Sequence, residues 1–333
     1  MTNTTPTNSS PPREADWDAA PTLLDGAMHL DLTAEQCNLA YWLSSVAQGT
    51  LRNRAVTGHS PDAITPEHMR TPGPLREALM LELGYRSVAE DCATRLLAHY
   101  VAIAPGVPEL EFFATQLLDE ARHARIFRNH LVELGVPADQ LIPTIKDMSA
   151  DYTREVLDPI VDFTLRTVRD EGDFAGGVAI FTIVIEGVLA PAAELSERKW
   201  DRLDPAASEI ARGASIDEIR HLTVGSSILR DQLIARPEYR PRLMEILKAG
   251  RVLWDELPDR KYVLYREELF QEGMRQHADL VGDYEIWPGR KMIDTTPVER
   301  YDAAERWTDE MAEVRMSYMG LQDALSILMG PAR

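Results

Sequence analysis

The chain has 333 residues, 44% of them hydrophobic and 27% charged, and a net charge of −19. These proportions are those of a soluble globular protein with room for one large domain or two ordinary ones. The acidic balance excludes a nucleic-acid surface, which needs clustered Lys and Arg.

Residues 1–30 begin with MTNTTPTNSSPPREAD, which lacks the basic and apolar regions of a signal peptide and predicts a disordered tail. The two cysteines, Cys37 and Cys92, form no metal or redox motif, so a reducing cytoplasm is the expected compartment. Thr33-Ala34-Glu35-Gln36 has the pattern of a capping box and predicts an amphipathic helix to about Val56. A loop rich in Pro, Thr and Gly follows, from Gly58 to Gly73. Pro74 suits the first turn of a helix that runs through Glu90 and stops at Pro105-Gly106. The next helix starts near Val107-Pro108, carries Glu120 and His123, and ends at Gly135. Residues 138–148 have the look of a connection, and 150–169 of a helix with Leu157, Ile160, Val161 and Leu165 in register.

After Gly172, the run Phe174–Ala193 is apolar apart from Glu186. It nearly has the length of a membrane span, but its Gly176-Gly177 pair, central Glu and Pro191 point to a buried core helix without membrane insertion. Asp204-Pro205 forms a cap and first turn for a helix carrying Glu218 and His221, which ends before Pro237. Three further helices are predicted at about 240–256, 259–280 and 297–319, with a loop at 285–289. No stretch alternates as a strand should. The expected class is all-α: a four-helix bundle over 31–236, with a C-terminal helical extension, 237–333, packed on one flank.

The chemistry is concentrated in Asp217-Glu218-Ile219-Arg220-His221 and in its echo ninety-eight residues earlier, Asp119-Glu120-Ala121-Arg122-His123. On a helix, Glu and His three residues apart share a face, one turn from each other. Of eight histidines only His123 and His221 have a Glu three residues before them. Glu90 lies thirty residues before Glu120, and Glu186 thirty-two before Glu218. Antiparallel helices joined by short loops bring such positions to one height, and a Glu from each of two helices plus Glu-x-x-His from two others is a dinuclear ligand set. A carboxylate inside the apolar run, Glu186, is costly to bury without a partner such as a metal ion. Asp91 is an alternative to its neighbour Glu90 after a small change of helix phase. Four carboxylates and two imidazoles form a hard O/N donor set suited to Fe or Mn. Asp119 and Asp217 can accept the outer N–H of the histidines, with Arg122 and Arg220 neutralising them; surface salt bridges are the alternative.

These motifs resemble the ferritin-like non-haem di-iron superfamily, in particular the oxygen-activating branch that includes multicomponent monooxygenases, acyl-carrier-protein desaturases and the p-aminobenzoate N-oxygenase group. The likeness covers about residues 74–236. It implies a ferritin-like bundle holding two iron ions (Fe/Fe or Mn/Fe) with O2 as co-substrate, and a homodimer. Departures from the pattern are informative. Phe127 stands where the ribonucleotide reductase small subunit carries its radical tyrosine. Ala214 stands where the N-oxygenase group adds a third histidine. Ala190 replaces the threonine that desaturases and hydroxylases place one turn after the third carboxylate. Thr182 lies one turn before Glu186 instead, and Thr94 one turn after Glu90.

The resulting expectation is an oxygenase acting on a small amine, hydrazine or hydrazone in natural-product biosynthesis, similar to the azoxy-forming N-oxygenases. Hydroxylation or desaturation at carbon is the alternative, and ferritin-like iron handling is disfavoured by the long C-terminal extension. Ala214 and Gly225 are small enough to leave room for substrate, with Thr182 nearby and Phe113 and Phe127 as an opposite wall or as core. The chain has no Gly-x-Gly-x-x-Gly, Cys-x-x-Cys or P-loop, so an external electron donor, a reductase or a ferredoxin, is implied.

Overall fold

A computed structural model describes residues 13–22, 24 and 26–329 of the chain. Of five long helices, the first, second, fourth and fifth form the centre. Helix α1 (Pro74–Ile103) begins on Pro74, and α2 (Val107–Glu133) follows after a three-residue turn, so the two run antiparallel. Gly135, at φ +93°, ends α2 in a Schellman motif: Val136 N–H donates to the Leu131 carbonyl and Gly135 N–H to that of Val132. Helix α3 spans 141–170 with two π-helical stretches, and Gly172 stops it at φ +66°. Helix α4 (Phe174–Trp200) starts on Asp173, whose carboxylate accepts from Gly176 N–H at 3.0 Å. Asp204 caps α5 (Pro205–Ala235) in the same way, through Ala207 N–H at 3.1 Å.

Helix α4 lies inside the protein, with Val178 to Val184 buried against α1, α2 and α5. Its residues Ile180–Glu186 form a π-helical stretch that ends on Glu186. Such widened turns are frequent at functional positions.

Beyond residue 236, α6 (Arg240–Glu256), α7 (Asp259–Gln276) and α8 (Pro297–Tyr318) lie against the four central helices. Phe270 and Met274 of α7 and Trp307 of α8 share one core with Leu75 and Leu79 of α1. A Cβ at Gly273 would stand 2.4 Å from the Leu75 backbone nitrogen, so only glycine allows α7 to cross α1 this closely. The extension is thus continuous with the bundle core.

The observed elements correct several expectations. Thr33 and Gln36 do form the reciprocal capping bonds, at 3.0 and 3.4 Å, but they close a single turn. Asn38 then caps a new helix through Tyr41 N–H, and only Leu39–Tyr41 and Trp42–Val46 are helical before turns lead to Asn53 at φ +61°. The connection expected at 138–148 is helical from Leu141, because Pro143 sits in the first turn, where its missing N–H costs nothing. Residues 285–289 open a two-stranded antiparallel hairpin, Glu285–Trp287 with Arg290–Lys291, turned by Gly289 at φ +77°.

The described part of the expected tail is packed rather than disordered. Glu14 and Ala15 are buried, and Trp17 lies beneath the Arg54 guanidinium, 4.0 Å from its ring centre. The remainder of that expectation, 1–12, 23 and 25, lies outside the described residues.

Candidate metal centre

The antiparallel pairs α1/α2 and α4/α5 bring the six expected ligands to one height in the bundle. Glu90, Glu120, His123 and Glu218 form one cluster; Glu120, Glu186, Glu218 and His221 form another, with the donor atoms of each cluster within 4.8 Å of one another. Glu120 and Glu218 belong to both, so these two carboxylates would be shared if each cluster held an ion. Glu90 with His123, and Glu186 with His221, then stand at the two ends. The choice between Glu90 and Asp91 is decided by the helix phase: Asp91 points outward and pairs with Arg95 at 3.2 Å.

Both histidines turn Nδ1 to the carboxylates. His221 Nδ1 lies 3.3 Å from Glu120, 3.5 Å from Glu186 and 3.6 Å from Glu218, yet makes a hydrogen bond with none of them. Glu120 Oε1 and Glu186 Oε2 are likewise buried without a hydrogen-bond partner among the described residues. Bonds of about 2.1 Å to a shared ion place neighbouring donors about 3–3.5 Å apart, so the spacing and the unpaired atoms fit metal ions.

The outer faces of the histidines are held by a crossed set of ion pairs. His123 Nε2 is 3.1 Å from Asp217 on α5, and His221 Nε2 is 3.3 Å from Asp119 on α2. Arg220 donates to Asp119 at 2.6 Å and to Asp217 at 2.9 Å, and Arg122 donates to Asp217. Asp119, Asp217 and Arg220 are at most 1% exposed, which sets aside the surface salt-bridge reading for them. Two buried aspartates against two arginines leave this layer neutral. Each carboxylate fixes the tautomer and orientation of its imidazole, with Nδ1 free to face inward.

The electrostatics of the inner layer call for added positive charge. Burial, then the neighbouring Glu120 charge, pushes the Glu90 carboxyl well above the carboxylate range; burial and Glu218 do the same to Glu186. Glu120 goes the other way, because His221 and His123 outweigh its burial and hold it low. His123 is pushed up to about 10: the Asp217 and Glu120 hydrogen bonds outweigh its desolvation. Four carboxylates this close cannot all ionise unaided, and two divalent cations would balance them.

Sequence reasoning missed two residues of this layer. Gln116, one turn before Glu120 on α2, donates to Glu186 Oε1 at 2.7 Å and is buried. Its spacing from Glu120 was the available signal. Trp42 Nε1–H donates to Asp119 at 2.9 Å across seventy-seven residues of sequence, and no local pattern announces that contact.

A cavity of about 210 Å³ opens on Glu90, Glu120, Glu186 and Glu218. Phe181, Ala93, Ala214, Tyr85, Tyr152 and Tyr262 also line it. Beside it lies a cavity of about 520 Å³ among α4, α6 and α8; Val188, Asp259, Tyr301, Glu305 and Thr308 border both. Of the expected substrate-pocket residues, Ala214 lines the smaller cavity and Thr182 the larger. The other three line neither. Phe113 packs on Tyr100 and Phe174 in the core, and Phe127 is core, its ring 6.3 Å from that of His123. The space at Gly225 is filled by Thr182, whose Oγ1 would stand 2.0 Å from a Cβ there.

No family model matches the chain, and no curated protein matches it. A solved structure does: protein 19 with aldehyde deformylating oxidase activity from Synechococcus, with a TM-score of 0.52. The fold is a ferritin-like helical bundle. The match covers 78% of this chain and 98% of that one at 19% identity, so the likeness is one of fold.

Proposed function

We propose that the chain is an O2-activating non-haem di-iron oxygenase that transfers oxygen to nitrogen in a small amine, hydrazine or hydrazone. The observation that carries this reading is the pair of four-residue clusters sharing Glu120 and Glu218 beside a cavity. Two ferrous ions, when bound, supply the electrons that reduce O2 so that one oxygen atom can pass to the substrate. An external donor of the reductase or ferredoxin class returns two electrons per turnover, and the second oxygen leaves as water.

The residues of this chain hold the ions through six side chains, keep both imidazoles in one tautomer, and keep bulk water out with Phe181 and the alanines of α1 and α5. Support for a nitrogen substrate comes from the tyrosines that line the smaller cavity. Tyr85 and Tyr152 stack there at 4.5 Å, and Tyr262 meets them edge-on at 6.0 and 5.4 Å. The rings suit a small nitrogen compound through stacking and cation–π attraction, with Asp259 and Arg266 beside them in the same lining. At about 30 Å³ per water, 210 Å³ suits a substrate of fewer than about ten heavy atoms.

Oxidation at carbon is the second reading, favoured by the likeness to a structure described as having aldehyde deformylating oxidase activity. The two are separated by turnover under ¹⁸O₂ with a set of small amines, hydrazines and aldehydes. We expect one labelled oxygen on nitrogen in the product. Label on carbon, or none in any product, would overturn the nitrogen assignment.

A further inference from the structure

About two turns beyond His123 along α2, a second group of donors converges. His59 Nε2, His130 Nδ1 and the Glu133 carboxylate lie within 4.8 Å of one another. His59 Nε2 is 3.1 Å from Glu133 Oε1, and His130 Nδ1 is 3.2 Å from Oε2. The two imidazoles thus approach one carboxylate from different sides, their rings 77° apart.

Each imidazole is anchored by its other nitrogen. His59 Nδ1 is 2.8 Å from the Ser60 carbonyl, and His130 Nε2 is 3.0 Å from Asp204 Oδ2. An N–H donated outward to a carbonyl or carboxylate, with the remaining nitrogen turned inward, is the arrangement that orients a metal-binding histidine. The carboxylate is oriented too, since Thr65 Oγ1 donates to Glu133 Oε2 at 2.8 Å. His130 is fully buried and His59 nearly so, whereas the Glu133 side chain is 29% exposed. One side of the group therefore faces solvent.

We propose that His59, His130 and Glu133 bind one divalent cation of the zinc class, with water in the fourth position. Two imidazoles, one carboxylate and a water form a zinc donor set, and donors on a tetrahedral ion stand about 3.3 Å apart, close to the two imidazole–carboxylate separations present here. This ion is separate from the dinuclear centre and has a different task. His59 belongs to the segment between the short N-terminal helix and α1, His130 and Glu133 end α2, and Asp204 caps α5. One ion would therefore pin a long irregular segment to two of the four helices that carry the dinuclear ligands.

The test uses the full-length protein with its dinuclear centre filled with iron, titrated with Co(II) in place of zinc. We expect one further equivalent of cobalt per chain, with the strong visible bands of tetrahedral Co(II) and a raised Tm. In His59→Gln the cobalt equivalent, the bands and the shift in Tm should be lost while iron per chain is unchanged. Glu133→Gln provides the same comparison if the first variant folds poorly. A wild type that takes up no cobalt, or variants that keep the bands, would overturn the proposal and leave a hydrogen-bonded network of imidazolium and carboxylate groups.

Discussion

The ligand assignment makes a ranked expectation for single substitutions. Glu186→Ala removes one end of the four-residue cluster and should reduce bound iron to one per chain and abolish turnover. His123→Ala should do the same at the other end. Arg122→Lys changes only the support of Asp217, so turnover should fall about 10–100-fold with iron content kept. Iron quantification and O2 consumption on the three variants check the order; a fully active Glu186→Ala, or an Arg122 variant worse than the His123 one, would show that the roles are wrongly assigned. The convergence of these six side chains was legible because Glu-x-x-His repeats at helical spacing and because Glu186 is the single charge in an apolar run. Gln116 was legible in principle. Trp42 was not, since its bond to Asp119 joins segments whose approach depends on the whole fold. Gly225 misled for a related reason: a small residue signals close packing as readily as open space, and the side chain that closes the gap, Thr182, comes from another helix.

Helix starts and stops were read well wherever a proline, a capping aspartate or a glycine with positive φ fixes them, as at Pro74, Asp204 and Gly135. They were misread where tertiary packing decides, as at 33–56, and at 141–148, where Pro143 in the first turn was the local signal passed over. The π-helical stretch before Glu186 left no mark in the sequence, because widening a turn changes the backbone and not the residue pattern. The elements are also tied by a buried polar knot with a clear pH signature. Glu82 of α1 meets Lys199 of α4 at 3.1 Å, and Lys199 meets Glu267 of α7 at 2.5 Å. Burial pushes the Glu82 carboxyl up, but Lys199, Arg266 and Arg86 outweigh it and hold it well below its ordinary 4.5. A carboxylate depressed in the folded state adds stability that is present above its unfolded value and lost as pH falls below it. Glu82→Gln should therefore cost about 3 kcal/mol at neutral pH, since it leaves Lys199 with Glu267 alone and takes from Arg266 and Arg86 a buried counter-charge. The difference from wild type should shrink as pH drops below about 4.5, the ordinary glutamate value. Urea unfolding of metal-free protein between pH 3 and 7 measures it; a difference independent of pH would contradict the depressed carboxylate.

The C-terminal third proved to be more than a cover for the bundle. Tyr262 and Arg266 of α7 and Tyr301 and Thr308 of α8 wall the cavity that reaches the carboxylates, so the route to the centre is shaped by helices outside the repeated motif. That role was not legible, since no residue of the extension carries a ligand pattern and its contribution is one of shape. What the sequence did disclose about the molecule as a whole is its class and the height at which four helices meet, because both follow from spacing and loop length. Everything proposed for the chemistry rests on those helices holding two irons that react with oxygen. The direct measurement is anaerobic loading with Fe(II), removal of unbound iron, and stopped-flow mixing with O2 while counting the iron oxidised. We expect two irons oxidised per chain, with a transient visible absorption that is absent from Glu186→Ala. No optical change and at most one oxidised iron per chain, with wild type and variant alike, would contradict a dinuclear oxygen-activating centre.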